Sequence, residues 1–280
     1  MPLDLEAEYN NRARVPEHPE IFARWMKAAA DYRAKAAEEE GASLGLAYGK
    51  SPRQTIDLFF PDTTGKSPLA LFIHGGYWRS LDPSTFSHMA RGMNAHGIAV
   101  AVAGYDLCPQ VSVWQIVEEM RAACLFLWGR FKQRIMVCGH SAGGHLAGAM
   151  LATDWRARDK TAPADLVRCA SSISGVFDLT PLIETTMNAD LRLDAAEAKK
   201  VSPVFWPAPA GTLDSIVGGA EASEFLRQAK IIVDAWQGKT DVRYEQVPGA
   251  NHFTVLDPLA DPDSAMVARL VELCKRTEGK

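Results

Sequence analysis

Cys138-Gly139-His140-Ser141-Ala142-Gly143-Gly144-His145 decides how this chain is read. The stretch follows the apolar run Ile135-Met136-Val137 and leads into Leu146-Ala147-Gly148-Ala149-Met150-Leu151. That order predicts a strand, a sharp turn and a helix. The turn fits G-x-S-x-G, with Gly139, Ser141 and Gly143 at the fixed positions. A serine at the tip of such a turn is held strained, with its hydroxyl presented above the sheet. The flanking glycines leave room where a side chain would meet a neighbouring strand or helix. An ordinary glycine-rich loop shares the pattern, so the rest of the chain must supply partners for Ser141.

Outward from this turn, apolar strand-like runs alternate with helical periodicity. Pro68 to Ile73, Ile98 to Ala103 and Arg134 to Cys138 read as buried strands, because their apolar residues are continuous rather than alternating. Gln54 to Phe60 reads as the first strand, Val167 to Ser174 and Thr212 to Val217 as further strands, and Val242 to Val247 as the last. Helices are expected at about Glu20 to Glu40, Ser84 to His96, Val113 to Trp128, Ala222 to Trp236 and Asp261 to Cys274. Met1 to Pro19 is polar and irregular, and the tail from Glu278 to Lys280 is expected to be solvated. Residues 180–211 show no clean period and include Pro203, Pro207 and Pro209, so short helices forming a partial cap are expected there. The class is therefore α/β, a mostly parallel central sheet with helices on both faces. One domain over residues 1–280 suffices, with residues 1–49 as an N-terminal helical appendage.

Composition narrows the functional classes. The chain has 280 residues, 47% of them hydrophobic, enough for a sizeable core. Its formal net charge is -4, from 30 basic and 34 acidic residues, and no basic stripe points to nucleic acid or a membrane surface. The five cysteines, Cys108, Cys124, Cys138, Cys169 and Cys274, are widely spaced and read as reduced core residues. No Cys/His spacing suggests structural zinc, so neither a metal nor another cofactor is expected. The N-terminus carries no signal-peptide pattern, and no run approaches the roughly 18 apolar residues of a membrane span. A cytoplasmic protein acting on a small molecule is the expectation. A P-loop or dinucleotide reading of the glycines lacks both the Gly-Lys-Ser/Thr ending and the spaced acidic partner.

A serine hydroxyl needs a base beside it, and the base needs an orienting carboxylate. On this type of sheet the expected chain order is serine, acid, histidine. His252, in Pro248-Gly249-Ala250-Asn251-His252-Phe253, sits just beyond the final strand and is the candidate base. His140 and His145 are nearer in sequence but belong to the turn and the following helix. For the acid, Glu221 lies at the carboxyl end of the strand Thr212 to Val217, and Glu224 falls in the first turn of the next helix. Glu221 is preferred, and Glu224 stays open as the alternative. Asp214 falls inside a strand and Asp241 at the wrong end of the sheet. An anionic intermediate needs N–H donors. His74-Gly75-Gly76-Tyr77-Trp78 follows the strand ending at Ile73, and the residue after the nucleophile is Ala142, so Gly75, Gly76 and Ala142 are the candidate oxyanion donors. His74 reads as a loop organiser. Tyr77, Trp78, Phe177 and Phe253 are candidate walls of a substrate pocket, Trp206 is a weaker one, Asp178 is a loop tie, and Asn251 can orient the histidine loop.

These motifs, together with Ser174-Gly175-Val176-Phe177-Asp178-Leu179 and Glu224-Phe225-Leu226-Arg227-Gln228, resemble the α/β-hydrolase superfamily over nearly the whole chain from about residue 50. Within it the chain resembles the kynurenine formamidase (arylformamidase) group and the neighbouring hormone-sensitive-lipase-like esterases. The resemblance implies an α/β-hydrolase fold and a triad with its acid at Glu221, where many relatives have aspartate, and its histidine at His252. It further implies hydrolysis of N-formylkynurenine to kynurenine and formate, and a homodimer. A general short-acyl carboxylesterase, and a non-catalytic binding protein on the same scaffold, are the competing expectations.

Overall fold

Strand segments without polar interruption place the centre of the sheet. A computed structural model of the chain describes residues 3–278. Gly279 and Lys280 of the expected solvated tail, with Met1 and Pro2, lie outside the described residues. The eight strands are β1 (Ala42–Ala47), β2 (Thr55–Phe59), β3 (Leu69–Ile73), β4 (Ala99–Ala103), β5 (Ile135–His140), β6 (Val167–Ile173), β7 (Thr212–Gly218) and β8 (Asp241–Val247). They form one sheet in the order β1-β2-β4-β3-β5-β6-β7-β8. β2 runs antiparallel to β1 and β4, and the pairs from β4 to β8 are parallel. Every residue of β3, β4, β5 and β7 is buried, as expected of strands covered on both faces. Edge strands β1 and β8 are partly exposed.

The helices are α1 (Leu5–Tyr9), α2 (Asn11–Arg14), α3 (His18–Glu38), α4 (Arg91–Ala95), α5 (Val113–Phe131), α6 (Ala142–Leu151), α7 (Trp155–Arg158), α8 (Asn188–Leu191), α9 (Ala195–Lys200), α10 (Ser223–Trp236) and α11 (Ala265–Glu278). Alternate residues of β3 feed two separate cores. Leu69, Leu71 and Ile73 pack with α5, α6 and α10, whereas Ala70 and Phe72 pack with α3, α4 and α11. Each fully buried Leu, Ile or Phe there contributes about 1.5–3 kcal/mol. Helix α5 starts with a capping box, in which the Ser112 hydroxyl accepts from Gln115 N–H and the Gln115 side chain accepts from Ser112 N–H. All five cysteines are buried and free.

Four expectations need correction. Residues before Pro19 are not irregular: Asp4 and Asn10 cap α1 and α2. An edge strand, β1, precedes the expected first strand. Its residues are half-exposed and it bulges at Gly45, whose φ is +68°, so it carries no apolar run to betray it. The expected helix at Ser84 to His96 is a 3₁₀ turn, Pro83–Ala90, followed by short α4. The last helix starts later and ends later than expected, after a 3₁₀ turn at Thr254–Ala260.

Candidate active site

The parallel strands all end on one side, and the loops leaving β3, β5, β6, β7 and β8 meet there. Ser141 follows β5 directly, with φ 56° and ψ -117°, a strained conformation for a residue with a side chain. Its N–H donates to Ile173 O at 2.8 Å, anchoring the turn to β6. The glycines on either side are forced by close approach. A Cβ on Gly143 would lie 1.9 Å from Ile73 O, and one on Gly139 would lie 2.2 Å from Gly143 O. Because β3 pairs with β5, with Ile73 opposite Gly139, the loop after β3 lies against this turn.

His252 and Ser141 line the same cavity. His252 Nδ1 donates to Glu221 Oε2 at 2.6 Å, which leaves Nε2 as the acceptor nitrogen of the neutral ring. Glu221 is buried, and its other oxygen accepts from Gly218 N–H at 2.7 Å and from the Ser174 hydroxyl. Two further groups fix the His252 loop. His140 Nε2 donates to His252 O at 2.7 Å, and Asn251 Oδ1 accepts from the N–H groups of Phe253 and Thr254 at 3.0 and 2.9 Å. Among the described residues no hydrogen bond joins Ser141 Oγ to His252. Glu224 is engaged elsewhere. It accepts two 2.7 Å bonds from Arg227 and one of 2.7 Å from the Tyr9 hydroxyl. Burial would raise its pKa, but the bonds from Arg227 and Tyr9 prevail and hold it below the usual carboxylate value. Asp214 pairs with Arg269, and Asp241 with Arg276. Asp178 accepts from Thr180 at both N–H and hydroxyl, tying its loop.

The loop after β3 turns at Gly76, whose φ is +113° and where a Cβ would sit 2.3 Å from Ser80 O. Gly75 lies against the serine turn, its Cβ position 3.0 Å from Ser141 Cβ. Ala142 N–H is in the first turn of α6 and has no partner within the helix. Of these three, Gly76 lines the cavity directly. His74 is buried between the rings of Phe86 and Tyr105, at 5.6 and 4.4 Å, and donates from Nδ1 to Gly75 O at 2.7 Å. Burial pushes its pKa down to about 4, so it is neutral and holds the loop. Burial lowers His145 likewise to about 4. It donates to Val201 O at 2.7 Å and is packed away from the cavity. His140 is held well below its ordinary value by burial and by the neighbouring His252.

The cavity measures about 250 Å³. Tyr77 and Phe253 line it. Trp78 and Phe177 do not, which corrects two expected pocket residues. Trp78 is fully buried, edge-on to His145 at 5.0 Å, because the positive φ at Tyr77 and Trp78 turns it back into the core. Phe177 is fully buried beneath Gly148, whose missing side chain makes the space. Trp206 stacks edge-on to Trp114 at 6.4 Å, also away from the cavity.

Sequence reasoning expected an N-terminal helical appendage and a partial cap at residues 180–211, but named none of the residues with which they wall the cavity. Tyr9, Asn11, Arg12, Phe22 and Trp25 from the N-terminal segment line the cavity, with Thr186 and Met187 from residues 180–211. Tyr77 carries the link, its hydroxyl donating to Tyr9 O at 2.7 Å. Ser174 and His140 were also missed as supports of Glu221 and His252. The positive φ at Ser174, in a motif already singled out, is not readable from residue types. Among the described residues no group of three or more His, Cys, Asp or Glu could hold a metal ion, and no helix is long and apolar enough to cross a membrane.

Residues 70–211, which carry the β3 loop and the serine turn, match the family described as the alpha/beta hydrolase fold. The chain belongs to that family. Relatives within the hydrolase fold include the kynurenine formamidase of Salmo salar, 28% identical over 241 residues that cover 82% of this chain and 81% of that protein. The kynurenine formamidase of Drosophila melanogaster is 26% identical over 285 residues, covering 93% and 94%. Among solved structures, a candidate thioesterase from a Silicibacter species is 36% identical with a TM-score of 0.83, covering 95% of this chain and 98% of that one. A carbohydrate esterase from gut microbiota, 14% identical with a TM-score of 0.69, covering 85% and 96%, shares the fold.

Proposed function

We propose that this hydrolase cleaves a small acyl group from an aryl amide or ester through an acyl-enzyme on Ser141, and that its preferred reaction is arylformamidase-like. The observation that carries the reading is the buried Glu221–His252 pair, 2.6 Å between Oε2 and Nδ1, on the same cavity as the strained Ser141. Ser141 Oγ attacks the carbonyl carbon and its proton passes to His252 Nε2. Glu221 keeps the ring in the correct tautomer and stabilises the imidazolium. The carbonyl oxygen, now negative, is received by the N–H groups of Ala142 and of Gly75 and Gly76. His252 then gives the proton to the leaving nitrogen or oxygen, and the aryl product departs. Water, deprotonated by His252, attacks the acyl group on Ser141, and the acid leaves as the serine regains its proton.

The substrate class rests on two supports. The cavity is small and faced with aromatic rings, which suits a short acyl group on an aromatic leaving group. The named relatives that align over most of the chain are kynurenine formamidases, which favours N-formylkynurenine as substrate and formate as the released acid. A second reading, a general short-acyl esterase, is favoured by the 36% identity to a candidate thioesterase. A panel of N-formylkynurenine, aryl acetates, aryl butyrates and an acyl thioester separates them. The expected result is highest kcat/KM on the formamide. Efficient turnover of short esters with negligible formamide cleavage would leave the esterase reading standing alone.

A further inference from the structure

The lip of the cavity carries three charged side chains, and two are already committed. Glu6 accepts from the Thr186 N–H at 2.8 Å and from its hydroxyl at 2.9 Å. Arg79 donates to Asp190 at 2.7 Å. Arg12 differs from both. Among the described residues it forms no salt bridge, and its guanidinium lies 5.7 Å from the centroid of Phe22. That contact holds a cation over an aromatic face without neutralising it.

The ring beneath Arg12 belongs to a continuous aromatic path. His252 contacts Phe253 with centroids 5.6 Å apart, Phe253 contacts Phe22 at 5.2 Å, and Phe22 carries Arg12. An aryl group whose reacting carbonyl sits at Ser141 would lie along this path, and its far edge would meet the guanidinium. A guanidinium presents a planar fork of donors that matches a carboxylate. The whole chain is acidic, with a formal charge of -4, so any attraction of an anion must be local.

We infer that Arg12 is a specificity residue that binds a carboxylate carried by the aromatic part of the substrate, making anionic aryl esters and formamides the preferred class. The inference rests on the serine-hydrolase reading, and the test separates the two. Wild type and Arg12→Gln are assayed on 4-acetoxybenzoate and on phenyl acetate, which differ only in the carboxylate. The ratio of kcat/KM between the charged and the neutral ester should fall about tenfold in Arg12→Gln, chiefly through KM. In the wild type the same ratio should shrink as ionic strength rises. Arg12→Lys should restore part of it, and Arg12→Glu should reverse it toward an aryl acetate bearing a trimethylammonium group. Arg12 is exposed and outside the hydrogen-bond network, and a ratio within each variant cancels any loss of folded protein. An unchanged ratio in Arg12→Gln overturns the role of Arg12 while leaving the hydrolase reading intact. Absence of turnover of both esters and of N-formylkynurenine in the wild type overturns the hydrolase reading instead. Calorimetric binding of 4-hydroxybenzoate to wild type and Arg12→Gln then decides the carboxylate contact, with equal affinity counting against it.

Discussion

The loops at the carboxyl ends of β3, β5 and β8 and the N-terminal segment from Asp4 to Glu38 border the same cavity, yet different physics holds them there. The β3 and β5 loops are held by main chain. Ser141 sits at φ 56°, Gly76 at +113°, and Gly139 and Gly143 touch neighbouring backbone where no Cβ fits. The N-terminal segment is held by long-range side-chain bonds. Tyr9 donates to Glu224, Glu6 accepts from Thr186, Glu8 accepts from Ser223 and from the N–H of Glu224, and Trp25 donates to Asp257. Groups that need placement within a few tenths of an ångström stand on the rigid side, and groups that only shape a surface stand on the other. On the proposed function, the difference places bond-breaking on the loops and substrate choice on the N-terminal wall.

Removing Ser141 tests that division most severely. Ser141→Ala should lower kcat on an aryl ester by on the order of 10⁴-fold or more, with an unchanged thermal unfolding midpoint. Labelling by a fluorophosphonate probe should vanish with it, and labelling that persists would point to another nucleophile. The two glutamates give the next contrast. Glu221→Gln should cost on the order of 10³- to 10⁴-fold in kcat, because the ring loses the carboxylate that fixes its tautomer. Glu224→Gln should leave kcat within a few-fold, because that carboxylate bonds Arg227 and Tyr9 rather than the base. The reverse pattern would transfer the acid role to Glu224.

The loop side was largely legible in sequence, and the physics above explains why. Tight main-chain approaches demand glycine, so Gly75-Gly76 and Gly139-x-Ser141-x-Gly143 are visible as residue types. Continuous burial demands apolar runs, so β3, β4 and β5 were found near their observed bounds. The lining residues of the N-terminal wall were illegible for the same reason. Tyr9 meets Glu224 and Gln228 across more than two hundred positions of sequence, and a polar tyrosine in a polar stretch announces no partner. Trp78 shows the converse failure. Its position in the loop after β3 suggested a pocket wall, but the backbone turn that places it in the core is set by dihedral angles that residue types do not encode.

Acid should weaken the fold through its buried imidazoles. His74 and His145 have folded pKa values of about 4, below their ordinary 6.5, because burial disfavours the charged ring. Between those values the unfolded chain binds protons that the folded chain excludes, so the stabilisation present above pH 6.5 is lost as pH falls toward 4. The midpoint of thermal unfolding should therefore decline across that window, and a flat profile from pH 7 to 4.5 would count against neutral burial of both rings.

The smallest effect belongs to the N-terminal wall. The Tyr9 hydroxyl donates to Glu224 at 2.7 Å and accepts from Gln228 at 2.8 Å, while Tyr9 O receives the Tyr77 hydroxyl. Tyr9→Phe deletes the first two bonds and keeps the third, so the link from Tyr77 in the β3 loop to the Tyr9 carbonyl survives. Glu224 retains Arg227, and Gln228 retains Asp178 O, so neither is stranded. The expected cost is about 1 kcal/mol, a fall of roughly 2–4 °C in midpoint, with KM raised a few-fold and kcat nearly constant. A selective fall in kcat at constant KM would mean that the wall positions the reacting groups, and the division between the two sides of the cavity would fail.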